Sequence, residues 1–176
     1  MSLYQKLGAI GPRYISKASI FKYGFNLSPM YRQSTAKVIF ASQDLKQVRI
    51  KLPISYKNKN YVGSIFGGSQ FSAVDPIPMV QLINILNSEY VVWDKSAQIK
   101  FKRPAKEDLY AEFTYSDTEL ADIAQAVSEH GETEMIKTTF LTNKEKSTVY
   151  CEVHKTIYIA SKAYYKEKRQ SRATSA

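Results

Sequence analysis

The chain is short of the residues from which many sites are built: its 176 positions hold one cysteine and two histidines. One cysteine excludes an internal disulfide, and Cys151 with His130 and His154 makes no credible zinc-ligand set. No stretch approaches the roughly 20 consecutive apolar residues of a membrane span. The segment from Met1 to Pro12 lacks the apolar run of a signal peptide, so a cytoplasmic location is expected. Also missing are a phosphate-binding loop ending in Lys-Ser or Lys-Thr, a dinucleotide fingerprint and a Gly-x-Ser-x-Gly elbow.

What is present is an ordinary globular composition, 44% hydrophobic and 23% charged, which argues against disorder. A chain of this length buries about 70% of its unfolded surface, enough for one domain with a real core. No internal repeat or linker divides it. The unusual quantity is a net charge of +9, which points to anionic partners. It is unevenly placed: residues 1–50 carry +7, 51–100 carry +2, 101–150 carry −4 and 151–176 carry +4. The total therefore describes several regions rather than one surface, and nucleic acid is a poor expectation as partner. Residues 162–176, basic and with little apolar content after Tyr165, read as a disordered, solvated tail.

Hydrophobic periodicity places the elements. Ile15, Ala18, Ile20, Phe21 and Phe25, with stops at Gly24 and Pro29, suggest one or two short helices over residues 14–36. Val48, Ile50, Leu52 and Ile54 alternate with Arg49 and Lys51 in a half-buried strand, paired with residues 37–42 across the turn at 43–46. Phe71, Val74, Val80, Ile83 and Leu86 approximate a helical period from about Ile65 to Leu86, in a helix flanked by apolar residues and hence buried. Pro76 and Pro78 delete backbone donors, so a break is expected just after Asp75. Strands follow over 97–101, 109–115, 135–141 and 149–159, with a short helix from Asp117 or Thr118 towards Gly131. The order argues for an α+β fold, an antiparallel sheet wrapped around one long central helix with extra short N-terminal helices. The boundaries expected are a helical extension over 1–36, the main domain over 37–161 and the tail over 162–176.

Three of seven glycines, Gly63, Gly67 and Gly68, stand directly before that central helix. Glycines there let another backbone or a ligand approach closely, and the free N–H groups of a first helical turn suit an oxygen carrying negative charge. A tight turn packing the helix on the sheet accounts for the glycines equally well. The stretch Asn60-Tyr-Val-Gly-Ser-Ile-Phe-Gly-Gly-Ser-Gln-Phe-Ser-Ala-Val-Asp75 resembles the signature of hotdog-fold acyl-CoA thioesterases of the phenylacetyl-CoA type. Asn60, Gly63, Gly67, Gly68 and Asp75 stand at matching positions, and Arg103-Pro104-Ala105 resembles the Pro-Ala that closes the strand after the helix. The likeness spans about residues 37–160. Phe66 stands where those enzymes carry His, which is closer to an uncharacterised branch of the same superfamily.

The resemblance implies a hotdog fold and an acyl thioester substrate, with coenzyme A arriving as part of the substrate and no separate cofactor. It assigns oxyanion stabilisation to the Gly67 amide with Gly68 beside it, substrate orientation to Asn60, and activation of water or direct attack to Asp75. Gly67 and Asp75 lie roughly 12 Å apart along one helix at ~1.5 Å per residue. To act on one carbonyl they must come from two subunits, so a homodimer or dimer of dimers belongs to the reading. Phe66, Asp94, Arg103, Lys57 and Lys59 are further substrate-binding candidates, the cations for coenzyme A phosphates. Cys151 and His154, three apart on one strand, point to opposite faces, which leaves an inert buried thiol. The rival reading, motivated by Phe66, is a silent hotdog protein that binds a fatty acyl or acyl-CoA ligand without turnover.

Overall fold

The structure is a computed structural model that describes residues 16–86 and 88–174. The first fifteen residues of the expected N-terminal extension, Asn87 and the last two residues of the tail lie outside the described residues.

Two short helices open the described chain, α1 (Lys17–Leu27) and α2 (Pro29–Gln33). Ser16 caps α1 by accepting from the Ser19 amide, and Pro29 starts α2 at a position where no intrahelical donor is needed. Their aromatic face, Phe21, Phe25 and Tyr31, joins the core, and the Tyr31 hydroxyl donates to the Ala73 carbonyl at 3.0 Å. Next come β1 (Lys37–Ala41) and β2 (Gln47–Leu52), paired antiparallel as expected. Val48, Ile50 and Leu52 are buried, while Arg49 is exposed and Lys51 only partly covered.

The long central helix is two helices, α3 (Gly67–Val74) and α4 (Pro76–Ile85). The expected break falls at Asp75 itself, which keeps right-handed helical angles (φ −47°, ψ −53°) and donates to the Phe71 carbonyl at 2.8 Å. Pro76 and Pro78 have no N–H to donate to the carbonyls four residues earlier, and side chains bond two further carbonyls at the joint. Tyr115 donates to the Pro78 carbonyl at 3.0 Å, and Lys155 to that of Asp75 at 2.7 Å. Ala73, Val74 and Ile77 pack on the inner face of the sheet against Ile50, Leu52, Leu109, Leu141 and Val153. Burial of this kind contributes about 1.5–3 kcal/mol per large aliphatic side chain.

The second half is β3 (Tyr90–Phe101), β4 (Leu109–Thr114), α5 (Asp117–His130), β5 (Glu132–Thr142), β6 (Val149–Ser161) and α6 (Lys162–Thr174). All strand pairs are antiparallel, in one sheet ordered β1-β2-β4-β5-β6-β3. The cap of α5 is Ser116 in a capping box with Glu119, one residue before the expected Asp117, and Gly131 ends the helix at φ 78°.

Two elements differ from the pattern reading. Strand β3 begins at Tyr90 rather than near Ala97, because a bulge between Asp94 and Ser96 shifts the alternation by one residue and hides the strand's first half. Residues 162–174, expected to be a disordered tail, form α6. That helix is held down by a Lys168–Glu132 ion pair, by the Lys162 amide on the Glu89 carbonyl at 2.8 Å and by Tyr165 beside Tyr158, ring centroids 6.5 Å apart. No helix among the described residues is long and apolar enough to cross a membrane.

Candidate active site

The loop from 53 to 66 delivers the glycine cluster to the start of α3. Its anchor is Asn58, 2% exposed: Oδ1 accepts from the Ser55 amide at 2.8 Å, and Nδ2 donates to Thr35 Oγ1 at 2.7 Å and to the Pro53 carbonyl at 2.8 Å. Asn60 shapes the tip, its Oδ1 accepting from the Ser64 amide at 3.0 Å and the Val62 amide at 3.2 Å. Gly63 sits at φ 75°, where a side chain would be strained. The amides of Phe66 and Ile65 then bond the carbonyls of Asn58 (2.7 Å) and Ala105 (2.8 Å), tying the loop to the segment after β3.

Helix α3 starts uncapped. Phe66 offers no side-chain acceptor, and among the described residues the amides of Gly67, Gly68 and Ser69 take no protein acceptor. Of these three residues Gly67 lines a cavity of about 440 Å³, together with Asn60, Ser64, Gln70, Phe101, Lys102 and Arg103. A side chain at Gly67 would meet the Phe101 ring at 2.7 Å, and one at Gly68 would meet the Phe66 ring at 2.2 Å. The glycines thus allow two aromatic rings to lie against the helix start, and both rings remain more than half exposed.

At the other end of α3 is a second group of charges that is separate from that cavity. Lys155, 1% exposed, contacts Asp75 Oδ1 at 2.7 Å, the Asp75 carbonyl at 2.7 Å and Asp94 Oδ2 at 2.6 Å. The Asp75 side chain is 42% exposed, and its second oxygen has no partner among the described residues. Asp94 Oδ1 is buried and unpartnered. Burial pushes the Asp94 carboxyl above its ordinary value, the Lys155 hydrogen bond and charge pull it back, and the charge of Asp75 adds to the rise.

The structure therefore gathers Asn60, Gly67 and Arg103 around one cavity and Asp75 with Asp94 around Lys155. Gly68 and Phe66 adjoin the first group, while Lys57 and Lys59 are exposed on the loop and do not line the cavity. Asp94 lies inside β3 and is turned inward with Val92, whereas Trp93 faces out at 53% exposure. Cys151 is fully buried, and burial pushes its thiol up to about 12. His154 lies elsewhere, on Thr138 Oγ1 at 2.9 Å.

Lys155 and Asn58 were missed. Lys155 left a signal: it occupies the inward phase of β6 between Val153 and Ile157, a place for an apolar residue unless a carboxylate waits there.

A family model for a domain of unknown function, DUF4442, matches residues 17–159. The chain belongs to this family. No curated protein matches it by sequence. Among solved structures it is similar to a Pseudomonas aeruginosa protein of unknown function described as a probable thioesterase, with a TM-score of 0.67, 21% identity and coverage of 77% of this chain and 89% of that one. A Haemophilus influenzae thioesterase gives a TM-score of 0.60 at 9% identity, covering 82% and 91%. Zebra fish thioesterase superfamily member 2 gives 0.57 at 19% identity, covering 80% and 96%. These likenesses establish the hotdog fold for the family member described here.

Proposed function

We propose that the protein hydrolyses an acyl thioester, with acyl-CoA as the substrate class, at a site completed by a second copy of the chain. The observation that carries this reading is the run of unpaired amides at the start of α3, the first of them, Gly67, lining a cavity of about 440 Å³. The Gly67 amide, with Gly68 beside it, stabilises the oxyanion. Asp75 takes a proton from water, whose oxygen forms a bond to the carbonyl carbon; the C–S bond then breaks, and the departing thiolate takes the proton back from Asp75. Asn60 sets the shape of the cavity wall rather than reaching the substrate with its oxygen, which its own loop occupies. Of the two cations lining the cavity, Lys102 is paired with Glu152 at 2.8 Å, which leaves Arg103, with no ion pair among the described residues, for a phosphate of coenzyme A.

The second copy follows from β3. It is an edge strand, its Phe101 end rests on Gly67, and its Asp94 end is joined through Lys155 to Asp75. Asp94 and Phe101 are separated by roughly 23 Å of strand, so amide and carboxylate of one chain cannot act on one thioester carbonyl. Two β3 strands paired antiparallel about Ala97 and Gln98 would set the Asp94 end of each copy against the Phe101 end of the other. That pairing also covers an open sheet edge.

Release of free thiol from a panel of acyl-CoA esters tests the reading. Turnover that falls at least about a hundredfold in Asp75→Asn supports it; turnover unchanged in that variant contradicts the role of Asp75. Saturable acyl-CoA binding with no turnover would favour a silent binding protein, a reading that the Phe66 ring over Gly68, in place of an imidazole, keeps in view.

A further inference from the structure

An ammonium group has three donors, and those of Lys155 face three acceptors: Asp75 Oδ1, the Asp75 carbonyl oxygen and Asp94 Oδ2. None is left for a substrate, and a side chain 1% exposed cannot reach one. We propose that Lys155 is the positioning residue of the carboxylate half of the site, clamping Asp75 by its backbone and one carboxylate oxygen so that the other oxygen alone meets the attacking water. This rests on the hydrolase reading above and extends it to a residue that never touches substrate.

The clamp is placed where the backbone needs it. Asp75 is the joint between α3 and α4, followed by two prolines, Pro76 and Pro78, that weaken the helical ladder. A single ammonium bonded to the carbonyl and carboxylate of the same residue fixes both the joint and the side-chain rotamer. The neighbouring donors among the described residues, Lys137 and Tyr115, are committed elsewhere. Lys137, the cross-strand neighbour of Lys155 on β5, is committed to Glu119 at 2.6 Å and to the Tyr115 ring at 4.2 Å. The Tyr115 hydroxyl is committed to the Pro78 carbonyl. Asp94, on β3, is the counter-charge that holds the ammonium from the other side.

The test is steady-state hydrolysis of an acyl-CoA ester by wild type, Lys155→Met, Lys155→Arg, Asp75→Asn and the Lys155→Met/Asp75→Asn double variant, with folding checked by circular dichroism. Expected are a fall of about tenfold or more in kcat for Lys155→Met with KM within about twofold, partial recovery in Lys155→Arg, and no further loss when Lys155→Met is added to Asp75→Asn. Should Lys155→Met fail to fold, Lys155→Gln, which keeps donors without the charge, carries the same comparison. Full kcat in the Lys155 variant, or the same factor lost again in the Asp75→Asn background, overturns the positioning role while leaving hydrolysis intact. A wild type that releases no thiol overturns the hydrolase reading and this role together.

Discussion

Gly67 is the residue at which backbone and chemistry can be separated. It is the first residue of α3, where proline is well tolerated, and Phe66 before it already holds φ −57° and ψ 134°, the conformation a following proline favours. Gly67→Pro therefore deletes the proposed oxyanion donor with the helix retained, the exposed Phe101 ring swinging aside. A fall in kcat of about a hundredfold or more, with circular dichroism unchanged, is the expected result. At this scale the sequence was informative wherever a residue type was forced: glycines where rings approach closely, and Asp75 at the proline break. It was uninformative where an interaction is long-range. Asp75 and Asp94 were both candidates, yet nothing local joins them; the connection runs through Lys155, eighty positions from Asp75.

Elements were legible in proportion to how little they owe to tertiary contact. Strands β2, β4 and the apolar phase of β6 show unbroken alternation, and the prolines announce the α3–α4 joint. The first half of β3 did not show because its bulge breaks the period, and α6 did not show because it has almost no apolar stripe of its own. That helix depends on Glu132, whose carboxyl is held below its ordinary range by the Lys168 hydrogen bond first and the Tyr158 hydroxyl second. A carboxyl lowered by folding stabilises the fold at pH values above the ordinary glutamate range, and the contribution is lost as pH falls through the lowered value. Helix α6 should thus stay docked at neutral pH and loosen as the pH falls below the ordinary glutamate range. Trp93, the chain's single tryptophan, lines the hollow under α6 with Tyr165, Lys168 and Arg169, so its emission reports the docking. Wild type should hold its emission at neutral pH, and Lys168→Met should already show the loosened spectrum there. Identical spectra for both proteins across the range would remove Lys168 from this role.

At the scale of the whole molecule, the net charge of +9 no longer points to one anionic surface. Part of it sits on α6, part is spent on buried or interstrand pairs such as Lys155 and Lys137, and Arg103 is the cation left at the cavity. The fold class was readable from element order, since a helix after an early hairpin and before a run of strands has few ways to bury its apolar faces. The separation of Gly67 from Asp75 was readable from helix length alone, and β3 is the strand through which the proposed dimer would bring two such ends together.

Mixing two inactive variants tests that arrangement most directly. Gly67→Pro and Asp75→Asn, each confirmed as a dimer by sedimentation, are denatured together at equal amounts, refolded and assayed for thiol release from acyl-CoA. Half of the randomly formed dimers are mixed, and in each one site combines the intact Gly67 amide of one copy with the intact Asp75 of the other. Recovery to about a quarter of wild-type activity is predicted; mixed dimers that form and stay as inactive as the parents would contradict a site shared between two chains.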